Sequence, residues 1–382
     1  MMRLTTAIFL ILTFSFCEGN NSENIDEPKR GGNPIDWNAV ANSSIHSLLD
    51  HYWNSRHHYF IYTNTGNKEF HYWPQAHALD VLLDAYQRTE EDSLVHYLKQ
   101  WYDGVKQKNG GDFYNIYIDD MEWKALAMLR AYNTLGDDKF KTAARKLWED
   151  IQTGWSDVAG GGIMWKKNTP HSKNACSNGP AAILAARLYQ LENQETYLEW
   201  AKKIYKWEKE TLVDPASGAV WDAAHVEDGE VNINKDWKFT YNQGTFIGAA
   251  TELYEITGDS TYLEDAIKTA DFTLNSLTDY SGRLLKDEGG GDGGLFKGIF
   301  VRYLTQLIQL SDLPASDRKR YVNFLEHNAE TLWLEGTRKP AVLFGTHWAT
   351  SPENEIDLTT QLSGAMLMEA AVFFSDKGYF EE

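Results

Sequence analysis

Two aspartates stand side by side, Asp119 and Asp120, in the stretch NIYIDDMEWKALAMLRAY. They lie where an apolar segment passes into a helix, since Met121, Ala125, Met128, Leu129 and Tyr132 recur at helical spacing. One reading is structural: Asp favours a first helical turn, and Asp119-x-x-Glu122 has the spacing of a capping box. The other is chemical. A carboxylate close to the free N–H groups of a helix start stays ionised, while its neighbour keeps a proton because like charges repel. One nucleophile and one acid are what cleavage of a glycosidic bond with retention requires. That chemistry places the carboxyls about 5–5.5 Å apart, whereas inversion needs about 6.5–9.5 Å and room for a water. Adjacent residues favour the shorter separation.

The surroundings suit a sugar. Tyr114, Tyr117 and Trp123 flank the pair, and Trp165 and Trp221 lie in later loops as candidate stacking platforms. With 14 Trp and 20 Tyr the chain is rich in rings that can meet the C–H face of a pyranose, although most such rings fill cores. A net charge of −19 argues against nucleic acid, whose phosphates need clustered Lys and Arg, and fits a neutral substrate. Other chemistries fall away. A metal-binding DDxxD would need an acid where Trp123 stands, no His pair has zinc spacing, and no Gly-x-Ser-x-Gly elbow occurs. No cofactor or metal is expected. EGGGDGGLFKG lacks the context of a phosphate loop. It reads as backbone that approaches a ligand closely and carries Asp292 and Lys297 into a cleft.

The elements that must hold these residues follow a repeat. A helix ends, a short polar turn follows, and a new helix opens with an aromatic: Tyr97, Phe140, Tyr197, Tyr262 and Tyr321. The helix before each turn is the more apolar one. Six of these are predicted, from about Trp73, Asp119, Asn178, Tyr241, Gly294 and Thr359, alternating with amphipathic helices such as KFKTAARKLWEDI. The pattern predicts an all-α fold, an (α/α)6 barrel of six inner and six outer helices. Five long loops rich in Gly, Asn and Trp precede the apolar helices. If the inner helices run parallel, these loops gather at one end, over the positive helix N-termini.

YNIYIDDMEWKALAMLRAY, GGGIMW, KNACSNGPAAILAARLY, TYNQGTFIGAATELY and GGGDGGLFKGIFVRYL together resemble glycoside hydrolase family 76, the α-1,6-mannanases. The resemblance implies an (α/α)6 barrel acting on α-1,6-linked mannose, mostly endo, with retention. It casts Asp119 as nucleophile and Asp120 as acid/base, through a covalent mannosyl-aspartate. Asn178, Tyr241, Asn242, Gln243, Asp292 and Lys297 sit on motif segments that would line the cleft, and the partner would be α-1,6-mannan. Rival readings are a transglycosylase on the same fold and a non-catalytic glycan-binding surface lipoprotein. A sugar isomerase would want His pairs at inner-helix starts, and none is present.

The N-terminus places one Arg before an apolar run from Leu4 to Phe16, too short to cross a bilayer, and then Cys17. The run reads as an export signal that resembles the lipoprotein type, with Cys17 lipidated; a plain secretory signal is the alternative. Residues 1–17 would be the signal, 18–34 a polar tether and 35–382 the catalytic domain. Export, with membrane attachment only through that lipid, is the expectation. Cys176 would then be the one remaining cysteine, a small buried residue outside any disulfide.

Overall fold

Every second helix is apolar on nearly all faces, and a helix of that kind must be enclosed by others. The computed structural model describes residues 34–380 except 354. The predicted signal, Cys17 and the tether up to 33 lie outside the described residues. In chain order the helices are α1 (Trp37–Tyr52), α2 (Pro74–Thr89), α3 (Asp92–Lys108), α4 (Ile118–Leu135), α5 (Asp138–Ile151) and α6 (Ala175–Glu192). They continue with α7 (Glu195–Leu212), α8 (Thr240–Thr257), α9 (Ser260–Ser276), α10 (Gly293–Gln309), α11 (Ala315–Leu334) and α12 (Leu358–Asp376).

The even-numbered helices form the inner ring. Each packs on the next, α2 on α4 through to α12, and α12 returns to α2. Their burial is continuous: in α6 every residue from Ala175 to Ala186 is enclosed, and in α12 every residue from Leu358 to Val372. The odd-numbered helices bury one stripe. In α5 this is Phe140, Ala143, Ala144, Leu147, Trp148 and Ile151, with the charges outside. The result is the predicted (α/α)6 barrel. Glycine allows the closest approaches in the ring. A Cβ on Gly244 would sit 2.8 Å from Phe300 Cα, and one on Gly298 would sit 2.7 Å from Ser363 Cα.

The two ends of the barrel differ. At one end arginines tie the inner helices together. Arg130 bonds Asp80 and Asp84 at 2.6 and 2.5 Å, Arg302 bonds Asp84 at 3.0 Å, Arg187 bonds Glu252 at 2.6 Å, and Arg88 bonds Glu369 at 2.9 Å. Pairing and multiple hydrogen bonds offset the desolvation of these charges. The other end carries the long loops, residues 53–73, 109–117, 152–174, 213–239, 277–292 and 335–357, each leading into an inner helix. The loop before α2 makes a sixth beside the five expected from composition.

One device anchors four of these loops. An amide near the start of an inner helix accepts a hydrogen bond from a loop N–H and donates to a loop carbonyl, as a strand partner would. Gln75 does this to Phe60 (2.9 and 2.8 Å), Asn178 to Ile163 (2.8 and 3.1 Å) and Gln243 to Val220 (2.8 Å both). Gln361 takes the Phe344 N–H at 3.2 Å and donates to the Val342 carbonyl at 3.1 Å. All four side chains are fully enclosed. Asn178 and Gln243, expected on the cleft surface, therefore staple loops instead. No helix among the described residues is long and apolar enough to cross a membrane.

Candidate active site

The aspartate pair sits in the first turn of α4, but it does not cap the helix. Tyr117 occupies the cap position without a side-chain bond, and Asp119 and Asp120 are both half-buried. The chain enters α4 along a short antiparallel contact between Tyr117 and Lys166. Ile118 N–H donates to the Trp165 carbonyl at 2.9 Å, and Trp165 N–H donates to Ser172 O at 3.0 Å. Held from both sides, the Trp165 indole N–H reaches Asp119 Oδ2 at 3.2 Å. The Cys176 thiol, near the start of α6, approaches the same oxygen at 3.4 Å. Asp119 Oδ1 is enclosed and has no hydrogen-bond partner among the described residues. Asp120 is oriented separately: Asn115 donates to its Oδ2 at 3.1 Å, while the Asn115 carbonyl oxygen takes the Tyr117 N–H.

Burial pushes the Asp119 carboxyl up to about 7, against the pull of the thiol, the indole and the first-turn N–H groups. Asp120 is driven well above the ordinary range by burial first and then by the charge of Asp119, with Lys124 opposing. The two acids are thus unequal: hydrogen bonds stabilise charge on Asp119, and the neighbouring charge keeps a proton on Asp120. Lys124 is fully enclosed, its Nζ donating to the Tyr72 carbonyl at 3.1 Å and lying over the Tyr72 and Trp101 rings. Glu122, three residues beyond Asp119, is also fully enclosed, and neither carboxyl oxygen has a hydrogen-bond partner among the described residues. Burial, Asp119 and Glu208 raise it well above its usual range, so it stays protonated and adds no charge beneath the pair.

Two further acids lie in this region, one acting on Asp120 and one on Cys176. Asp292, at the start of α10, is exposed and accepts from Trp73 Nε1 at 2.7 Å and pairs with His71 Nε2 at 3.3 Å, which hold it below the usual carboxylate range. Its charge is felt by Asp120. Asp222 lies on the loop before α8 and takes the Asn242 amide at 2.9 Å and the Tyr241 hydroxyl at 3.3 Å. Tyr241 is half-buried and stacks on Phe296, ring centroids 3.9 Å apart.

Of the residues singled out from sequence, Asp119, Asp120, Trp165, Tyr241 and Asp292 keep exposed surface in this region. Others point elsewhere. Trp123 is buried against the His77 ring at 4.9 Å, because its position on α4 turns it toward α2. Lys297 is buried over Trp348, with Nζ on the Thr346 carbonyl. Asn242 is fully enclosed and serves Asp222, and Trp221 is buried under Lys235. Cys176, Asp222, His71, Trp73 and Asn115 were not singled out as site residues. Only the adjacency of Asn115 to the pair offered a signal. Among the described residues no cluster of three His, Cys, Asp or Glu could hold a metal ion.

The family model for glycosyl hydrolase family 76 matches residues 36–381. The chain belongs to glycosyl hydrolase family 76. Within that family it is similar to an alpha-1,6-mannanase from Salegentibacter sp. HEL1_6, with 50% identity and a TM-score of 0.86. The match covers 88% of this chain and 99% of that one. Inactive variants of that enzyme, with two consecutive aspartates both replaced by alanine or both by asparagine, are known in complex with alpha-1,6-mannotetrose and alpha-1,6-mannotriose. A protein from Listeria innocua is 36% identical, with a TM-score of 0.83 over 91% of this chain and all of the other. A mannan endo-1,6-alpha-mannosidase of Eremothecium gossypii is 25% identical over 74% of this chain. The chain spans 67% of that relative's length and 65% of a Schizosaccharomyces pombe relative's.

Proposed function

We propose that this family 76 chain is an exported endo-α-1,6-mannanase that works with retention, Asp119 as nucleophile and Asp120 as acid/base. The observation that carries the reading is the unequal carboxyl pair opening α4, set beside a 50%-identical mannanase whose variants with two adjacent aspartates replaced are inactive. Trp165 and Cys176 hold the Asp119 carboxylate through Oδ2, and in the reaction the carboxylate bonds the anomeric carbon. As the glycosidic C–O bond breaks, the leaving oxygen takes the Asp120 proton. Water then attacks the same carbon, its proton passes to Asp120, and the bond to Asp119 breaks. Trp165, Tyr241, Asp292 and Trp73 are candidate contacts for the mannose units. Export, and lipid attachment through Cys17, rest on the N-terminal residues alone.

The test is hydrolysis of linear α-1,6-mannan from pH 4 to 9, with sizing of the products. Asp119 must be ionised, so kcat/KM should fall as pH drops through about 7, where its carboxyl protonates. Asp120 must be protonated, so activity should fall again on the alkaline side, at a pH set by its higher affinity for the proton. Internal cleavage to short oligosaccharides is the expected pattern. Mannan bound without any product would refute the reading.

A further inference from the structure

We propose that Asn115 is a positioning residue that assigns the two oxygens of Asp120, holding Oδ2 so that Oδ1 carries the proton given to the leaving group. The proposal rests on the reading of Asp120 as acid/base. Asn115 lies on the loop into α4 and is half-buried. Its Nδ2 donates to Asp120 Oδ2 at 3.1 Å, and its Oδ1 accepts the Tyr117 N–H at 3.1 Å. The second bond fixes the amide. An N–H needs an oxygen opposite it, so the amino end must face Asp120. The loop leaves Asn115 little freedom. Asn109 Nδ2 donates to the carbonyls of Asp112 and Tyr114 at 3.1 and 3.0 Å, and the Lys167 N–H donates to the Ile116 carbonyl at 2.9 Å. The residues on both sides of Asn115 are therefore pinned.

An amide amino group only donates, so the oxygen it faces serves as acceptor. In a protonated carboxyl the carbonyl oxygen is the better acceptor, and the proton of Asp120 therefore sits on Oδ1. That oxygen takes no donor among the described residues and, unlike Asp119 Oδ1, is not enclosed. In the first step the Oδ1–H bond breaks as the proton passes to the glycosidic oxygen, which keeps the electron pair of its bond to the anomeric carbon. In the second step Oδ1 takes a proton from the attacking water. Oδ2 stays on Asn115 through both, and this bond strengthens while Asp120 is charged. Asn115 thus opposes the burial and the Asp119 charge that raise the proton affinity of Asp120.

The test uses the full-length enzyme, linear α-1,6-mannan, and an aryl α-mannoside with an acidic phenol as leaving group. Asn115→Ser and Asn115→Asp each keep an oxygen that can accept the Tyr117 N–H, so the turn is retained. Neither offers Asp120 the amide donor: serine is too short, and aspartate presents an acceptor. Each should lower kcat on mannan about 10–100-fold with KM little changed. The burst of phenol from the aryl mannoside, which needs little protonation, should be nearly unaffected. The alkaline limb of kcat/KM on mannan should move to higher pH, because the Asp120 carboxylate loses a donor and keeps its proton longer. The added charge of Asn115→Asp should move it further. The other ionisable groups around Asp120, namely Asp119 and Lys124 on α4, Asp292 at the start of α10 and the Tyr72 phenol, are the same in both variants. Near-parental kcat on mannan in both variants, or an equal loss on both substrates with an unmoved limb, would overturn the assignment while leaving Asp120 its role. Substantial activity of Asp120→Asn on mannan would instead remove the reading on which the assignment rests.

Discussion

Asp119→Asn should lower kcat/KM on α-1,6-mannan by at least about 10⁴-fold, the scale of loss when a covalent nucleophile is removed. The amide has nearly the same shape, and Trp165 and Cys176 remain to hold it, so the loss reports chemistry and not folding. Stability should move the other way. The Asp119 carboxyl is raised to about 7 in the folded chain, above its value of 3.8 in an exposed chain. The folded state therefore binds the proton more tightly than the unfolded state. That contribution is full below about pH 4 and is lost as pH rises through about 7. Asparagine carries no such cost. Its thermal midpoint should exceed that of the parent at pH 8 and match it closely at pH 4, read by calorimetry at both values. A parallel fall in activity and in stability at pH 8 would mean that the site is merely structural.

Asp120→Asn should cost about 10²–10⁴-fold in kcat on mannan, the usual contribution of a general acid/base. Its signature depends on the leaving group. An aryl α-mannoside with an acidic phenol needs little protonation, so the first step should recover while the second, which needs a base for water, stays slow. A burst of phenol followed by a slow steady state is the expected trace. Loss on both substrates in equal measure, without a burst, would take the acid/base role from Asp120. The Asn115 contact should survive the change, since an amide oxygen can accept it.

Much of the architecture is legible in the chain because periodicity reports burial. The all-apolar stretches from Asn178 and Thr359 become inner helices α6 and α12, and KFKTAARKLWEDI becomes the one-faced α5. The Asp pair is legible because adjacency in sequence guarantees adjacency in space. Much of the rest of the site is not legible, for a chemical reason. The amides that could bind a sugar hydroxyl can equally bind a peptide group, and Asn178 and Gln243 spend their bonding on loop backbone. Lys297 was drawn toward the cleft by its glycine-rich segment, but its side chain turns to Thr346 and Trp348. Asp222 stands in AVWDAAH, with nothing in spacing to mark it, and gains its importance from Asn242 and Tyr241, twenty and nineteen residues later. Cys176 reads as a small buried residue until the ring of helices brings it to Asp119. His71 and Trp73 lie in the loop before α2, which composition had not singled out, and only closure of the helix ring brings them to Asp292.

The claim that Asp119 attacks while Asp120 donates is tested most directly by the anomer released first. Proton NMR during early hydrolysis of a linear α-1,6-mannooligosaccharide should show the α-anomer appearing before mutarotation forms the β. The β-anomer appearing first would contradict a mannosyl-Asp119 intermediate.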